Sequence, residues 1–294
     1  MTAKIILNPY ANRWMASKRQ PELEDALKSA GVEYELVVSE YIGHTIELAA
    51  QACQDGFSPI IAAGGDSTYN DVANGILQAP RGESLPRFGI MPMGTANDLA
   101  DNLGISKDYI QNIDVLQVNE RYFLNNSGLG IEPVITIIQS KMKYLKGIIR
   151  YLTATLVGIA KNPQWEMELE WDTGHHSGPV TLVSVGNNPR TGGLFYTVPH
   201  AAPFNGKLTF VYGSVKTRLE LLFLLPKIMK PAGEGSYINH PNVHEIETQK
   251  LIIQTRPATP LHADGEIISE AIQKLTYIVH PGKLPMLLPE NAQI

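Results

Sequence analysis

The stretch Ile60-Ile61-Ala62-Ala63-Gly64-Gly65-Asp66-Ser67-Thr68, followed by Tyr69-Asn70-Asp71, decides the fold of this chain. An apolar run ends at two glycines and an acid, and a helical pattern begins at once, which predicts a buried strand turning sharply into a helix. Glycines let the backbone approach a ligand closely, and a helix N-terminus favours negative charge. The acid would repel bare phosphate, so its presence favours an intervening cation, as in magnesium-nucleotide chemistry.

A second segment, residues 88–100, repeats this arrangement. Its sequence FGIMPMGTANDLA is again typical of a strand, a glycine turn, a polar N-cap and a helix. Thr95 or Asn97 can cap that helix with a side-chain oxygen. Either turn alone would also suit an ordinary capped helix in any α/β protein. Two such turns, both rich in Gly, Thr and Asp, favour a nucleotide cleft.

Strands and helices alternate through the first part of the chain. This alternation predicts a mostly parallel sheet covered by helices, with ligands outside the carboxyl ends of the strands, where both glycine turns fall. The predicted strands are 4–7, 34–38, 59–63 and 88–91, and the predicted helices are 21–30, 45–53, 68–77 and 96–103.

After residue 121 the pattern changes. Residues 144–160 form one long helical pattern, but most of the remainder is typical of short strands punctuated by Gly, Pro and Asn. We therefore predict an antiparallel β-sandwich as a second domain. Its strands are predicted at 165–171, 180–185, 207–211, 250–254 and 274–279. We place the first domain at 1–122, with 282–294 as a candidate return to it, and the second at 123–281.

The bulk composition narrows the function classes. The 294 residues suffice for two domains, and the hydrophobic content of 44% describes a globular protein. The formal net charge of −5 argues against nucleic acid as a main partner. The single cysteine, Cys53, fits a reducing compartment, and its apolar helical context favours a buried structural thiol. With neither a signal peptide nor a spanning segment in the sequence, we expect a cytoplasmic protein.

The two glycine turns, GGDST with Asn70-Asp71 and PMGTAND, resemble the diacylglycerol kinase catalytic-domain family, which includes bacterial lipid kinases, sphingosine kinases and ceramide kinases. The resemblance runs nearly from end to end. Its further motifs are Asn8-Pro9, Ser39 with Gly43-His44, the stretch 125–130, Asn187 with 191–193, Pro199, Asn205-Gly206 and the stretch 262–266.

The resemblance implies an α/β nucleotide-binding domain like those of NAD kinase and phosphofructokinase, followed by a β-sandwich that holds the lipid. It implies transfer of the γ-phosphate of ATP, with Mg2+, to a lipid hydroxyl, with diacylglycerol as the first expectation. Asp66 and Asp114 match acids that organise water around the nucleotide-bound magnesium. The implied nucleotide contacts are Asn8, Ser39, Gly64, Gly65, Asp66, Ser67, Thr68, Asp71, Gly94 and Thr95.

The segment Asp264-Gly265-Glu266 is the candidate for the acceptor side. Two acids that flank a glycine in a loop can supply a base for the hydroxyl and an electrostatic partner. Asp-Gly is also a common turn, which is the structural alternative. With the resemblance, we assign Glu266 as base and Asp264 as its partner, and the reverse assignment stays open. We expect His262 to support the loop.

Two apolar stretches, 219–229 and 144–160, are flanked by lysines and arginines. Each is either a core helix or a helix that lies on a membrane surface, with its cations against anionic headgroups. We expect a lipid substrate at a membrane surface, peripheral association with that membrane, and a homodimer as a candidate assembly. The pair His175-His176, in a predicted polar turn, lacks neighbours suited to a metal site.

The chain departs from the family pattern in three places. Ser67 replaces a glycine, and a positive φ there would be strained. Tyr10 and the residues after it replace the Ser-Gly that typically follows Asn-Pro. Asn205 replaces an aspartate that helps to hold a structural magnesium in bacterial lipid kinases, so we do not expect that site.

Two other functions remain open. An NAD kinase-like phosphotransferase shares the fold and the Gly-Gly-Asp motif, although the Asn-Asp after Gly-Thr-Ala and the late Asp-Gly-Glu favour a lipid kinase. A non-catalytic regulator that binds nucleotide or lipid is supported only by Ser67. The four acids assigned above argue against a regulator.

Overall fold

The structure is a computed structural model that describes residues 2–29, 31–80, 84–95, 97–103, 109–142, 147–161, 163–215 and 217–288. The chain divides into two compact units. The first comprises described residues within 1–115, 121–124 and 281–294, and the second those within 116–120 and 125–280.

The first unit alternates strands and helices, as the sequence predicts. The predicted helix 96–103 is observed from Asp98 onward, and Ala96 lies outside the described residues. Strand β5 continues into the second unit. The elements are β1 (Ala3–Leu7), α1 (Met15–Lys18), α2 (Gln20–Ser29), β2 (Tyr34–Val38), α3 (His44–Gln54), β3 (Ile60–Gly64), α4 (Asp66–Gln78), β4 (Phe88–Pro92), α5 (Asp98–Leu103), β5 (Tyr109–Val118) and β6 (Arg121–Phe123).

A parallel sheet organises this unit. Its strands lie in the order β2–β1–β3–β4, and Leu7 pairs with both Val38 and Ala63. The carboxyl ends of these strands therefore share one edge, which is where parallel sheets bind ligands. Buried aliphatic side chains of β1 and helix α2 pack on one face. The prediction of a parallel α/β unit is confirmed.

The second unit is mainly antiparallel. Its elements are β7 (Asn126–Gly130), α6 (Ile131–Lys141), α7 (Gly147–Lys161), β8 (Trp165–Trp171), β9 (Gly174–Val180), β10 (Leu182–Gly186), β11 (Leu208–Gly213), α8 (Arg218–Ile228), β12 (Val243–Thr248), β13 (Lys250–Ala263) and β14 (Glu266–Leu288). The last part of β14 enters the first unit, where Met286 pairs in parallel with Phe88.

Strand β13 belongs to two layers of this unit. Its first part pairs with β8, its end pairs with β7, and irregular register between Gln254 and His262 bends it from one layer to the other. The layers are β12–β11–β10–β7–β13 and β9–β8–β13–β14. Trp171 and Phe210 pack edge to face between strands β8 and β11, with ring centroids 5.5 Å apart. The predicted β-sandwich is confirmed.

The local structure of this unit differs from the sequence predictions in places. Residues 131–141 form helix α6, a segment for which no element was predicted, and Pro133 lies in its first turn. Proline is tolerated in the first turn of a helix. His175 and His176 lie within strand β9 rather than in a turn, and His176 packs on Tyr212 with ring centroids 4.7 Å apart. The predicted helix 144–160 is observed from Gly147, and residues 143–146 lie outside the described residues.

Within the described residues, no helix combines the length and the apolar character needed to cross a bilayer.

Candidate active site

The two glycine turns contact each other at the carboxyl edge of the parallel sheet. A Cβ placed on Gly94 would lie 2.4 Å from the Cα of Gly65, so the turns leave no room for a side chain at that point. The amide of Met93 donates to the carbonyl oxygen of Gly64 at 2.7 Å. The structure thus brings together the two turns that the sequence predicts to share a cleft.

Helix α4 starts inside the first turn. Gly65 is its extended N-cap and Asp66 its first residue, so the unpaired amides of the first helical turn lie at the glycine turn. Oγ1 of Thr68 accepts a hydrogen bond from Nδ2 of Asn8 at 3.0 Å. A Cβ on Gly64 would lie 2.3 Å from that same Oγ1, which explains the glycine. Asn8, Gly64 and Thr68, all predicted nucleotide contacts, therefore lie together at the first glycine turn.

Ser67 does not strain the backbone. It lies within helix α4 and is absent from the residues of positive φ in the described chain. A serine in a first helical turn keeps its backbone amide for an anion. The replacement of glycine at this position is therefore compatible with phosphate binding.

Asp66 joins the first turn to helix α5. Its Oδ2 accepts from the amide of Asp98 at 3.0 Å, and its Oδ1 from the amide of Leu99 at 2.9 Å. Burial raises the pKa of the Asp66 carboxyl, and the hydrogen bonds from Leu99 and Asp98 oppose that rise. A desolvated carboxylate whose oxygens each keep a lone pair suits a hydrated cation.

Asp114 is also buried and is held by one backbone group. Its Oδ1 accepts from the amide of Gly282 at 2.7 Å, which fastens the end of strand β14 to strand β5 within the first unit. The described residues contain no group of three His, Cys, Asp or Glu side chains that could hold a metal ion. The two carboxylates Asp66 and Asp114 suit Mg2+ that arrives with nucleotide phosphates and keeps most of its water.

Asp71 connects helix α4 to two neighbouring elements. Its Oδ1 accepts from the Arg121 guanidinium at 2.8 Å, and its Oδ2 accepts from Thr45 Oγ1 at 3.0 Å. The same guanidinium donates to Oδ1 of Asn70 at 2.7 Å. These hydrogen bonds position helix α4 against α3 and β6.

The remaining nucleotide candidates lie at the ends of strands or in loops. Ser39 is buried at the end of β2, and its amide donates to the carbonyl oxygen of Leu7 at 2.9 Å. Thr95 is exposed, and its hydroxyl donates to Oδ1 of Asn12 at 3.1 Å. Both positions are compatible with contacts to a nucleotide.

Two residues of the second turn were not among the predicted site residues. Oδ1 of Asn97 accepts from the amide of Gly94 at 2.9 Å, with Asn97 itself at a φ of 54°. Asp98 is buried and adds a second acid beside Asp66. The sequence signal for both was the Asn-Asp pair after Gly-Thr-Ala, a motif of the family resemblance in which the asparagine was also predicted as a helix cap.

Asp264 and Gly265 form the turn of a hairpin in the second unit. Both have positive φ, 45° and 83°, which matches the Asp-Gly turn of a two-residue hairpin. Oδ1 of Asp264 accepts from the amides of Asn125 and Asn126, each at 2.9 Å. Asp264 therefore holds the start of strand β7, while Glu266 is half-buried at the start of β14.

An apolar cavity of about 100 Å³ lies in the second unit between helices α6, α7 and α8 and the sheet. Its polar wall includes Glu132 and Tyr237, and the rest is mostly aliphatic and aromatic. Such a lining suits apolar groups, and the volume holds only a short part of a hydrocarbon chain. The apolar lining includes Ile135, Tyr151, Phe195, Leu221, Leu224 and Ile228.

Helices α7 and α8 also carry exposed apolar side chains. Leu219 is 68% exposed and Phe223 72% exposed on α8, and Ile149 is 62% exposed on α7. Leu224, on another face of α8, is buried. Each helix therefore buries some side chains and exposes apolar ones. A core helix and a helix on a membrane surface, the two alternatives from the sequence, are thus compatible.

Around Asn205 the structure places a lysine. Nδ2 of Asn205 donates to Glu247 at 3.3 Å, and Lys207 forms an ion pair with the same carboxylate at 2.9 Å. The Lys207 ammonium thus supplies positive charge beside Glu247.

Comparison with known proteins agrees with this geometry. Residues 2–122 match the family described as "Diacylglycerol kinase catalytic domain", and residues 127–288 match "YegS C-terminal NAD kinase beta sandwich-like domain". The chain belongs to the diacylglycerol kinase catalytic-domain family. Membership in this family identifies it as an ATP-dependent lipid kinase, as the sequence motifs predict.

Similar proteins cover nearly the whole chain. A protein named "Diacylglycerol kinase" from Staphylococcus saprophyticus is 29% identical over 276 residues, covering 90% of this chain and 88% of that protein. One of the same name from Staphylococcus carnosus is 28% identical with the same coverage. A crystal structure of a putative diacylglycerol kinase from Bacillus anthracis superimposes with a TM-score of 0.79 at 18% identity, covering 99% of this chain and 96% of that one, which shows the shared fold.

Proposed function

We propose that this protein transfers the γ-phosphoryl group of Mg-ATP to the hydroxyl of diacylglycerol. The contact between Gly65 and Gly94 carries the proposal, because it joins two phosphate-binding turns into one cradle. Similar proteins that are named diacylglycerol kinase support this acceptor.

The first unit holds the nucleotide. Backbone amides at Gly65 and the first turn of α4 bind phosphate oxygens, since they carry no partner within the helix. Asp66 and Asp114 would hold Mg2+ through water. When bound, the ion absorbs negative charge on the phosphates. Asn8 fixes the start of helix α4 through Thr68, and Asn97 fixes the second turn through Gly94.

Glu266 acts as the base toward the acceptor. Its carboxylate takes the proton of the lipid hydroxyl, the hydroxyl oxygen forms a bond to the γ-phosphorus, and ADP leaves with the electrons of the broken bond. Asp264 already holds two backbone amides at a tight turn. We therefore assign Asp264 to positioning and Glu266 to proton transfer.

The exposed apolar residues of α7 and α8 give the kinase access to lipid. Leu219 and Phe223 can enter the interfacial region of a bilayer, while Arg218, Lys227 and Lys230, all exposed, face anionic headgroups. This arrangement supports peripheral membrane association of a cytoplasmic protein.

Phosphate transfer to a panel of lipids tests the proposal. Purified protein is incubated with γ-labelled Mg-ATP and diacylglycerol, sphingosine or ceramide in mixed micelles, with NAD in a parallel tube. We expect label in diacylglycerol. Label in NAD alone would assign the protein to NAD kinase-like enzymes, and ATP binding without any labelled product would support a regulator.

A further inference from the structure

Two aromatic side chains in the loop after strand β1 pack on each other and remain open to solvent. The rings of Tyr10 and Trp14 lie edge to face, with centroids 4.3 Å apart. Tyr10 is 41% exposed and Trp14 is 60% exposed. Both belong to the segment that departs from the family pattern after Asn8-Pro9. Single exposed aromatic residues are common, so the surroundings of this pair decide whether it has a function.

The backbone beneath the pair is left-handed over three consecutive residues. Asn12, Arg13 and Trp14 have φ values of 51°, 56° and 72°. Asparagine tolerates this conformation, but for arginine and tryptophan it costs free energy because of the Cβ atom. The amide of Trp14 donates to the carbonyl oxygen of Tyr10 at 3.3 Å. Such a conformation persists only where surrounding contacts impose it, and it is typical of functional loops.

Hydrogen bonds join this loop to both glycine turns. Oδ1 of Asn8 accepts from the amide of Tyr10 at 3.0 Å, while Nδ2 of Asn8 donates to Oγ1 of Thr68 in the first turn of helix α4. Oδ1 of Asn12 accepts from the hydroxyl of Thr95, in the second glycine turn, at 3.1 Å. The loop is therefore fastened to both of the segments that would hold the nucleotide phosphates.

These contacts fix where the aromatic pair lies. The hydroxyl of Tyr10 donates to the carbonyl oxygen of Glu40, just beyond the end of β2, at 2.8 Å. Trp14 follows Asn12 by two residues, so their Cα atoms lie within about 8 Å of each other. The pair therefore lies at the carboxyl edge of the parallel sheet, beside the phosphate turns. A nucleotide whose phosphates occupy those turns extends its ribose and base into the space next to them.

We infer that Tyr10 and Trp14 form the platform on which the base of the nucleotide stacks. The inference rests on the proposed function, because it concerns the phosphate donor of that reaction. A base on the exposed indole ring buries apolar surface of both partners and adds an interaction that phosphate alone cannot make. The imposed backbone holds the indole in place before the nucleotide binds, which lowers the entropic cost of binding.

Stacking also decides which bases the platform accepts. Every base has a π-face, so an aromatic platform does not by itself distinguish adenine from guanine. Two polar groups beside the platform already hydrogen-bond within the protein. The Tyr10 hydroxyl donates to Glu40, and Oδ1 of Asn12 accepts from Thr95. The platform therefore binds both purine nucleotides.

The fluorescence of Trp14 reports stacking directly. The chain contains three tryptophans, and the other two, Trp165 and Trp171, lie on strand β8 of the second unit. Titration of the full chain with Mg-ADP should quench emission that is missing from Trp14→Phe. Mg-tripolyphosphate, which has phosphates but no base, should leave that emission unchanged. Calorimetric binding of Mg-ADP to the original protein without any change in tryptophan emission would overturn the inference.

The variant Trp14→Ala measures what the stack contributes. We expect the affinity for Mg-ADP to fall about 5- to 100-fold, the range for loss of one base–aromatic stack. The affinity for Mg-tripolyphosphate should change by less than about twofold. Ile110→Ala, at an exposed apolar residue of strand β5 in the first unit, is the matched control and changes neither affinity.

Equal losses for the two ligands in Trp14→Ala would show that Trp14 only supports the fold of the turns, and would overturn the inference. The fluorescence of the original protein keeps the inference testable if Trp14→Ala does not fold.

The choice of base gives a further comparison. Mg-GDP should bind the original protein with an affinity within about threefold of that for Mg-ADP. A preference of more than about tenfold for either nucleotide would overturn the inference, because it would require hydrogen bonds to the base edge.

Two combinations of results separate this inference from other functions. Quenching of Trp14 by vesicles of phosphatidylcholine and phosphatidylglycerol, but not by Mg-ADP, would assign the pair to a membrane surface and overturn the inference. Stacking of Mg-ADP on Trp14 in a protein that labels no lipid would overturn the proposed function and leave the inference standing. Labelled lipid, together with an unchanged affinity of Trp14→Ala for Mg-ADP, would overturn the inference alone.

Discussion

Arg121 on strand β6 donates to Asp71 on helix α4 at 2.8 Å, and only 21% and 15% of their side-chain surfaces are exposed. The guanidinium also binds Asn70, the residue next to Asp71 on the phosphate-binding helix. A residue far along the chain therefore fixes the orientation of the helix whose N-terminus meets the nucleotide phosphates.

Removal of this arginine should weaken the first unit. Arg121→Ala leaves the half-buried Asp71 carboxylate with one partner fewer, and we expect a loss of about 1–3 kcal/mol in the free energy of unfolding. Urea denaturation monitored by circular dichroism measures it. Arg19→Ala is the control, because its ion pair with Glu22 is exposed and should contribute less than about 1 kcal/mol. Equal losses in the free energy of unfolding for the two variants would show that the Arg121–Asp71 ion pair does not stabilise the fold.

The contact between the glycine turns predicts a strong effect for Gly94→Ala. The added methyl group would lie 2.4 Å from the Cα of Gly65 and 2.7 Å from Oδ1 of Asn97, so the turns must separate. We expect a loss on the order of 100-fold in kcat/KM for Mg-ATP, because small displacements of reacting groups have effects of that size. Steady-state kinetics with thermal melts separate this effect from unfolding. Activity within about twofold of the original would argue against a shared cradle.

Asp264 should act through structure rather than chemistry. Asp264→Ala removes the acceptor of two backbone amides and places alanine at a positive φ, which should reduce stability by about 2–4 kcal/mol. Asp264→Asn keeps an acceptor oxygen and tolerates this conformation, so it should restore most of the stability. Denaturation curves compare the two variants. A loss of activity in a fully stable Asp264→Asn protein would assign this carboxylate a chemical role instead.

The raised pKa of Asp66 predicts how stability depends on pH. Its pKa in the folded protein lies above the unfolded value of 3.8, so ionisation of this group opposes folding. The cost is absent below the unfolded pKa, grows as the pH rises from the unfolded to the folded pKa, and is constant above the folded pKa. Asp66→Asn should therefore gain stability relative to the original protein across the interval between the unfolded pKa of 3.8 and the folded pKa.

Denaturant titrations across that interval measure the difference between the two proteins. With saturating Mg-ATP at neutral pH, the original protein should instead be more stable than Asp66→Asn, because Mg-ATP stabilises the original protein and not the variant. A difference that does not change with pH would contradict the assignment of a desolvated carboxylate at position 66.

Local sequence signals predicted the central elements of the first unit. The strand predicted at 34–38 matches β2 in both bounds, whereas β5, β6 and helix α1 were not predicted. The turns themselves were predictable because glycine and aspartate have distinct backbone and capping properties. The order of neighbouring strands follows from the rules for parallel α/β sheets.

Long-range relationships were not predictable in this way. Asp71 matches a nucleotide contact of the family, but its pairing with Arg121 depends on a residue 50 positions away. Glu132 and His262 meet only because strands β7 and β13 are neighbours and Gly128 lacks a side chain. Strand β7 and helix α6 lie in a segment, residues 126–141, for which no element was predicted.

Glu266→Gln tests the central claim most directly. Transfer of labelled γ-phosphate from Mg-ATP to diacylglycerol is measured for the original protein, for this variant, and for Glu270→Gln at an exposed acid on the same strand. ATP affinity is measured in the same preparations. We predict a loss of about 10²–10⁴-fold in kcat for Glu266→Gln, unchanged ATP affinity, and full activity for Glu270→Gln. Full activity of Glu266→Gln, or no transfer to lipid by the original protein, would contradict the account.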